Sequence, residues 1–145
     1  MRIPPPEPAQ VLRYAYLWAD EHEQGLEEGR KDRPVAVVLA LAGAEGATTV
    51  AVAPITHSPP AIAEDAIEIP PPVKSMLDLD EERSWIVVTE INVFAWPGPD
   101  LRPAGQEDET TPLIGYLPAR FFRTVRDRIV TQHKRKKLRR IQRSE

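Results

Sequence analysis

Apolar residues fall into short runs, either alternating or continuously β-branched, separated by proline and glycine. Val11 to Trp18 alternates, with Leu12, Tyr14, Tyr16 and Trp18 on one side and Val11, Arg13, Ala15 and Leu17 on the other. That period of two predicts a strand. Pro34 to Leu41 is continuously apolar, the pattern of a strand buried on both faces. Gly43 and Gly46 predict a turn, and Thr48 to Ile55 a second strand pairing with the first as a hairpin. Ala66 to Ile69 reads as a short edge strand, and Val73 to Leu79 as one or two helical turns. Trp85 to Phe94 predicts a third strong strand, ended by Trp96-Pro97-Gly98-Pro99. Ala19 to Asp32 and residues 102–112 are polar and loop-like. Beyond Pro118, which suits a first helical turn, Phe121, Phe122, Val125 and Ile129 recur at helical spacing.

The sum is a mainly β fold with a C-terminal α-helix, a small twisted barrel capped by that helix. Residues 1–10 form a proline-rich lead-in, 11–132 the barrel domain with its helix, and 133–145 a basic tail. A length of 145 residues suits one domain, and 41% hydrophobic residues argue against wholesale disorder. The 16 prolines leave little room for long helices before residue 117. With no cysteine, disulfides and thiolate metal sites are excluded, which fits a reducing compartment. Val35 to Ala44 is about half of a membrane span, and Pro4, Pro5 and Pro6 interrupt any signal-peptide core. The expectation is a cytoplasmic protein with no membrane partner.

Charge divides the chain more sharply than its net of −3 suggests. Residues 118–145 carry 11 Lys and Arg against 2 acids, whereas residues 1–117 carry 8 against 20. An acidic body thus precedes a basic end.

His22, His57 and His133 are dispersed and show no companion ligand spacing, so no metal and no cofactor is expected. Neither a glycine-rich phosphate loop nor a Gly-x-Ser-x-Gly turn is present. Two segments remain. One is Gly29-Arg30-Lys31-Asp32-Arg33-Pro34, running into the first hairpin strand; the other is Val52-Ala53-Pro54-Ile55-Thr56-His57-Ser58, ending the second. An antiparallel hairpin makes Arg33 and Thr56 neighbours. Metal-free RNA cleavage by the adjacent 2′-hydroxyl needs a base, an acid and donors for the phosphorane oxygens. Arg33 offers a fork of donors, Thr56 a hydroxyl, and His57 an imidazole, the side chain suited to proton transfer near neutral pH.

Each assignment has a structural alternative. Arg33 can pair with Asp32 or Glu90, Thr56 can be a turn residue, and His57 an exposed loop histidine. Tyr14, Tyr16 and Trp18 can stack on splayed RNA bases or fill the core. Glu90 and Asn92 can line a site or be buried with hydrogen-bonded partners. Lys134, Arg135, Lys136, Lys137, Arg139 and Arg140, with Arg143, can grip RNA phosphates or clasp the acidic body.

A glycine-containing loop, then Arg33-Pro34, an apolar strand, and a second strand ending Pro54-Ile55-Thr56 resembles the PemK/MazF-like toxins. The same order continues through Trp85-Ile86-Val87-Val88 and a helix opening after Leu117-Pro118. The resemblance spans roughly residues 11–130. It implies a small SH3-like β-barrel of the PemK/MazF/CcdB type, a homodimer, and a sequence-specific endoribonuclease held in check by a small antitoxin protein. By the same resemblance Arg33 and Thr56 take the catalytic arginine and threonine positions.

Overall fold

The long hairpin at the centre of the chain organises everything else. In the computed structural model, which describes residues 1–26, 31–105 and 110–143, β2 (Arg33–Ala42) pairs antiparallel with β3 (Thr48–Thr56). Their register runs from Val35 opposite Pro54 to Val37 opposite Val52, then shifts at Val38 and continues to Ala42 opposite Thr48. That shift is a bulge. Gly46, at φ +80°, makes the left-handed step that closes the turn.

β1 (Gln10–Tyr14) flanks β2, and β7 (Leu113–Tyr116) flanks β1, both antiparallel. On the other side β3 serves two partners. Its end, Ile55 and Thr56, pairs with β5 (Trp85–Val87), and its beginning, Thr49 to Val52, pairs with β6 (Glu90–Ala95). The single strand expected over Trp85 to Phe94 is therefore two. The break falls opposite Ala53 and Pro54, and proline has no N–H to donate to a ladder. β4 (Ala66–Glu68) pairs with β5 and ends the sheet, the edge position expected.

Three α-helices lie among the described residues. α1 (Ala19–Glu23) is a turn of helix where a loop is expected; the Glu21 carboxylate reaches back to accept the Trp18 backbone N–H at 3.1 Å. α2 (Pro71–Met76) opens on prolines and α3 (Ala119–Lys134) follows Pro118. No helix among the described residues is long and apolar enough to cross a membrane.

The last segment departs most from expectation. Residues 139–142 form β8 (Arg139–Gln142), which pairs parallel with β6, so the basic end returns into the sheet instead of trailing as a tail. The result is a mainly β, eight-stranded, largely antiparallel sheet in the order β4-β5-β3-β2-β1-β7, with β6 and β8 branching from β3. No pairing joins β7 to β4 among the described residues, so the hydrogen-bonded path stays open.

Strand alternation loads both faces. Val11, Ala36, Ala51, Ala53, Ile55 and Ile86 form one buried cluster with Val125 and Ile129 of α3. Leu12, Tyr14, Tyr16, Val35, Val37, Val52 and Phe94 form the other, with Tyr14 stacked on Phe94 at 5.0 Å. Two filled faces account for the apolar run Val35 to Val38, whereas Leu39 and Leu41, expected to be buried on both faces as well, are exposed.

Candidate functional site

Continuing the β2–β3 register by two residues brings Arg33 opposite Thr56. Both line a cavity of about 390 Å³ together with His57, Arg13 and Lys31. The juxtaposition expected from the hairpin is therefore present.

Arg33 is half-buried. Its guanidinium lies over the Trp18 indole, 4.9 Å from the ring centroid, and Nη1 donates to the Ile55 carbonyl at 3.5 Å. Nε is buried without a hydrogen-bond partner among the described residues. An unpaired buried donor costs about 1–3 kcal/mol, so the fold holds this guanidinium against a local penalty. Burial lowers the Arg33 pKa from its usual value, while Glu21 and Tyr16 act in the opposite direction; at any physiological pH it stays a cation. Neither alternative partner takes it. Asp32 lies 3.6 Å from Arg102, and Glu90 accepts the Tyr16 hydroxyl and the Ala19 N–H, each at 3.0 Å. Arg13 and Lys31 make no ion pair among the described residues, and Asp32, Asp78 and Asp80 line the same cavity, so its formal charges are mixed rather than purely positive.

Thr56 Oγ1 accepts the Ser58 N–H at 3.2 Å, a turn contact that leaves its hydroxyl proton available. Thr56 also borders a smaller cavity of about 290 Å³ that Trp18, Pro59 and Pro60 line.

His57 has companions that sequence spacing did not reveal. Nε2 lies 2.8 Å from Asp80 Oδ2 and Nδ1 lies 3.4 Å from Glu82 Oε2. These three groups converge closely enough to hold a metal ion, which corrects the expectation that His57 lacks companion ligands. The cluster already carries a cation. The buried Lys74 Nζ sits 2.7 Å from Asp80 Oδ1 and donates to Ser84 Oγ at 2.8 Å and to the Glu82 carbonyl. Desolvation disfavours the Asp80 carboxylate, but hydrogen bonds from Lys74 and His57 outweigh it and hold its pKa below the usual Asp value. The run Asp78 to Glu82 is visible as acidic sequence, yet nothing in its spacing points to His57, 21 or more residues upstream.

The aromatic face is core rather than platform. Tyr14 and Tyr16 are fully buried and offer no ring face to a base. Burial raises both phenol pKa values, Tyr16 further through Glu90. Of the three, only half-buried Trp18 lines a cavity, the smaller one beside Thr56, with the Arg33 guanidinium over its ring.

Most of the basic segment is engaged with acids. Arg135 pairs with Glu64 at 3.4 Å, Lys137 with Asp65 at 2.8 Å, and Arg139 with Glu23. Arg143 is buried, donating to Ala15 O at 2.7 Å and Asn92 Oδ1 at 3.0 Å, with Asp100 at 3.1 Å. Lys134, Lys136 and Arg140 are exposed and make no ion pair among the described residues. The clasp on the acidic body thus accounts for three of the six tail cations expected to grip RNA. Gly29 and Arg30, part of the loop expected to lead into the site, lie outside the described residues.

Comparison with protein-family models and with curated proteins gives no match.

Proposed function

We propose that this chain is a PemK/MazF-like toxin, an endoribonuclease that cleaves single-stranded RNA without a metal, on a small SH3-like barrel. The observation that carries the reading is the cavity shared by Arg33, Thr56 and His57 at one end of the β2–β3 hairpin. The Arg33-Pro34 and Pro54-Ile55-Thr56 sequences that suggest the family are the ones that meet there.

In this reading the 2′-hydroxyl oxygen attacks the adjacent phosphorus and the bond to the 5′-oxygen breaks, leaving a 2′,3′-cyclic phosphate and a 5′-hydroxyl. The 2′-hydroxyl loses its proton and the 5′-oxygen gains one. Arg33, oriented by Trp18, meets the developing charge on the phosphorane oxygens. Thr56 donates its hydroxyl to the same phosphate. His57 exchanges the protons, and its longer, more exposed contact to Glu82 is the one substrate displaces. The reading also carries a homodimer and a small antitoxin protein as partners.

The test is incubation of purified protein with a long single-stranded RNA in EDTA. Cleavage to cyclic-phosphate ends, lost by about 10²-fold or more in Arg33→Ala, is expected. Cleavage that is absent, or unchanged in that variant, overturns the assignment. Salt-dependent binding without turnover selects a nucleic-acid-binding module on the same fold instead.

A further inference from the structure

The opposite end of the β2–β3 hairpin holds a second cavity, larger and unlike the first. It measures about 720 Å³, and its lining is predominantly apolar. Arg33 and Leu41 lie eight positions apart along β2, about 26 Å of extended chain, and the two cavities share no lining residue.

Register builds the floor. Leu39 lies opposite Ala51, Ala51 opposite Val93, and Val93 opposite Gln142, one row crossing β2, β3, β6 and β8. The wall is one stripe of α3: Arg126, Ile129, Val130 and His133 follow at helical spacing. Leu39, Leu41 and Val130 are exposed by 44%, 55% and 44%. Large aliphatic side chains this open, gathered in one groove, mark an interaction surface rather than scattered exposure.

The rim is cationic. Arg126 and Arg140 border the groove; among the described residues Arg126 pairs with its exposed neighbour Asp127 at 3.1 Å and Arg140 makes no ion pair. A second copy joined by a two-fold axis would set this rim against itself, bringing like charges face to face. An acidic occupant meets it with opposite charge. Three strand spacings span about 14 Å, the length of nine or ten residues of helix, which is room for apolar anchors at i, i+3 or i+4, and i+7.

We propose that this groove docks an acidic amphipathic helix of a partner protein, laying two to three turns between α3 and the β2-β3-β6-β8 row. The surface is separate from the Arg33 cavity, and its occupation leaves that cavity open.

The probe is a fluorescent 14-residue helical peptide with leucine at those anchor positions and glutamate elsewhere, compared with the same peptide carrying lysine. The glutamate peptide binds, its affinity falls as salt rises, and the lysine peptide binds about tenfold or more weakly. Leu39→Glu and Val130→Glu, at positions open enough to fold unchanged, each lower affinity about tenfold or more. Arg140→Glu reverses the preference between peptides. The proposal is overturned by equal binding of both peptides, by no binding, or by groove variants that bind as wild type. It is equally overturned if sedimentation shows a dimer that Leu39→Glu dissolves, or if single-stranded RNA displaces the peptide from wild type and its own binding is lost in Leu39→Glu.

Discussion

The Arg33 guanidinium rests over the Trp18 indole, its central carbon 4.9 Å from the ring centroid. A cation over an indole face is stabilised by about 0.5–2 kcal/mol, and the same ring lines the smaller cavity that Thr56 borders. Trp18→Ala removes the support without touching the Arg33 backbone. RNA cleavage is expected to fall about tenfold through misplacement of Arg33, with Trp18→Phe recovering part of the loss. Steady-state kinetics on the three proteins check this. Equal rates would show that Arg33 is held by β2 alone.

Trp18 is in turn placed by Asn92. Asn92 is fully buried, its Oδ1 accepting the Leu17 N–H at 2.9 Å and its Nδ2 donating to the Leu17 carbonyl at 2.8 Å. Asn92→Leu leaves both peptide groups of Leu17 unpaired at a cost of about 1–3 kcal/mol each. Against a total stability of about 5–15 kcal/mol, urea unfolding should show a large drop in midpoint.

The same Asn92 oxygen accepts from Arg143, which also faces Asp100. Breaking a buried ion pair by removing one partner costs about 3–5 kcal/mol. Deleting residues 139–143 is therefore expected to destabilise the fold, not merely to weaken nucleic-acid binding. Thermal melting of the truncated chain decides between a stapling strand and a dispensable tail.

The hairpin was legible because local signals agree: two β-branched runs of similar length with Gly43 and Gly46 between them, although the register shift at Val38 leaves no mark in that pattern. That agreement also put Arg33 beside Thr56. β8 was hidden because Arg139-Arg140-Ile141-Gln142 has one apolar residue, and its pairing partner lies about 50 positions upstream. Charge there signals solvent, whereas the fold pairs Arg139 with Glu23, and the preceding Arg135 and Lys137 with Glu64 and Asp65. The Tyr14/Tyr16 face was ambiguous for a different reason. Alternation shows that two residues share a side, but not whether that side is covered. The Asp80–Glu82 partnership of His57 depends on Lys74 and α2, which no spacing rule anticipates.

Glu90 introduces a pH dependence of one sign. Burial raises its pKa above the usual Glu value, against the opposing influence of Ala19 N–H, the Tyr16 hydroxyl and Arg139. A carboxyl whose folded pKa is raised contributes most while protonated. Its contribution is full below the ordinary Glu pKa of about 4.3 and is lost as pH rises through the folded value. Glu90→Gln keeps an acceptor for Ala19 and Tyr16, so it should remove this decline. Unfolding free energies of both proteins measured from pH 4 to 8 provide the comparison, and parallel curves would contradict the assignment.

Asp80 runs the other way, and Lys74 controls it. Its folded pKa is depressed, desolvation being outweighed by the hydrogen bonds from Lys74 and His57. Its contribution is therefore present above the ordinary Asp pKa of about 3.9 and lost as pH falls through the lower folded value. Asp80 is half-exposed, with 52% of its side chain accessible, so solvent screening keeps the term small. Lys74 is different, since its buried ammonium also holds Ser84 and the Glu82 carbonyl. Lys74→Met should cost about 1–3 kcal/mol at neutral pH and move the Asp80 titration back toward its ordinary value. With Asp80 released, His57 loses its anchor, so RNA cleavage should fall while Arg33-dependent RNA binding persists. Carbon-detected NMR titration of the Asp80 carboxyl, run beside cleavage and binding assays on the same variant, separates the two effects. An unchanged Asp80 titration would mean that His57 alone holds the carboxylate.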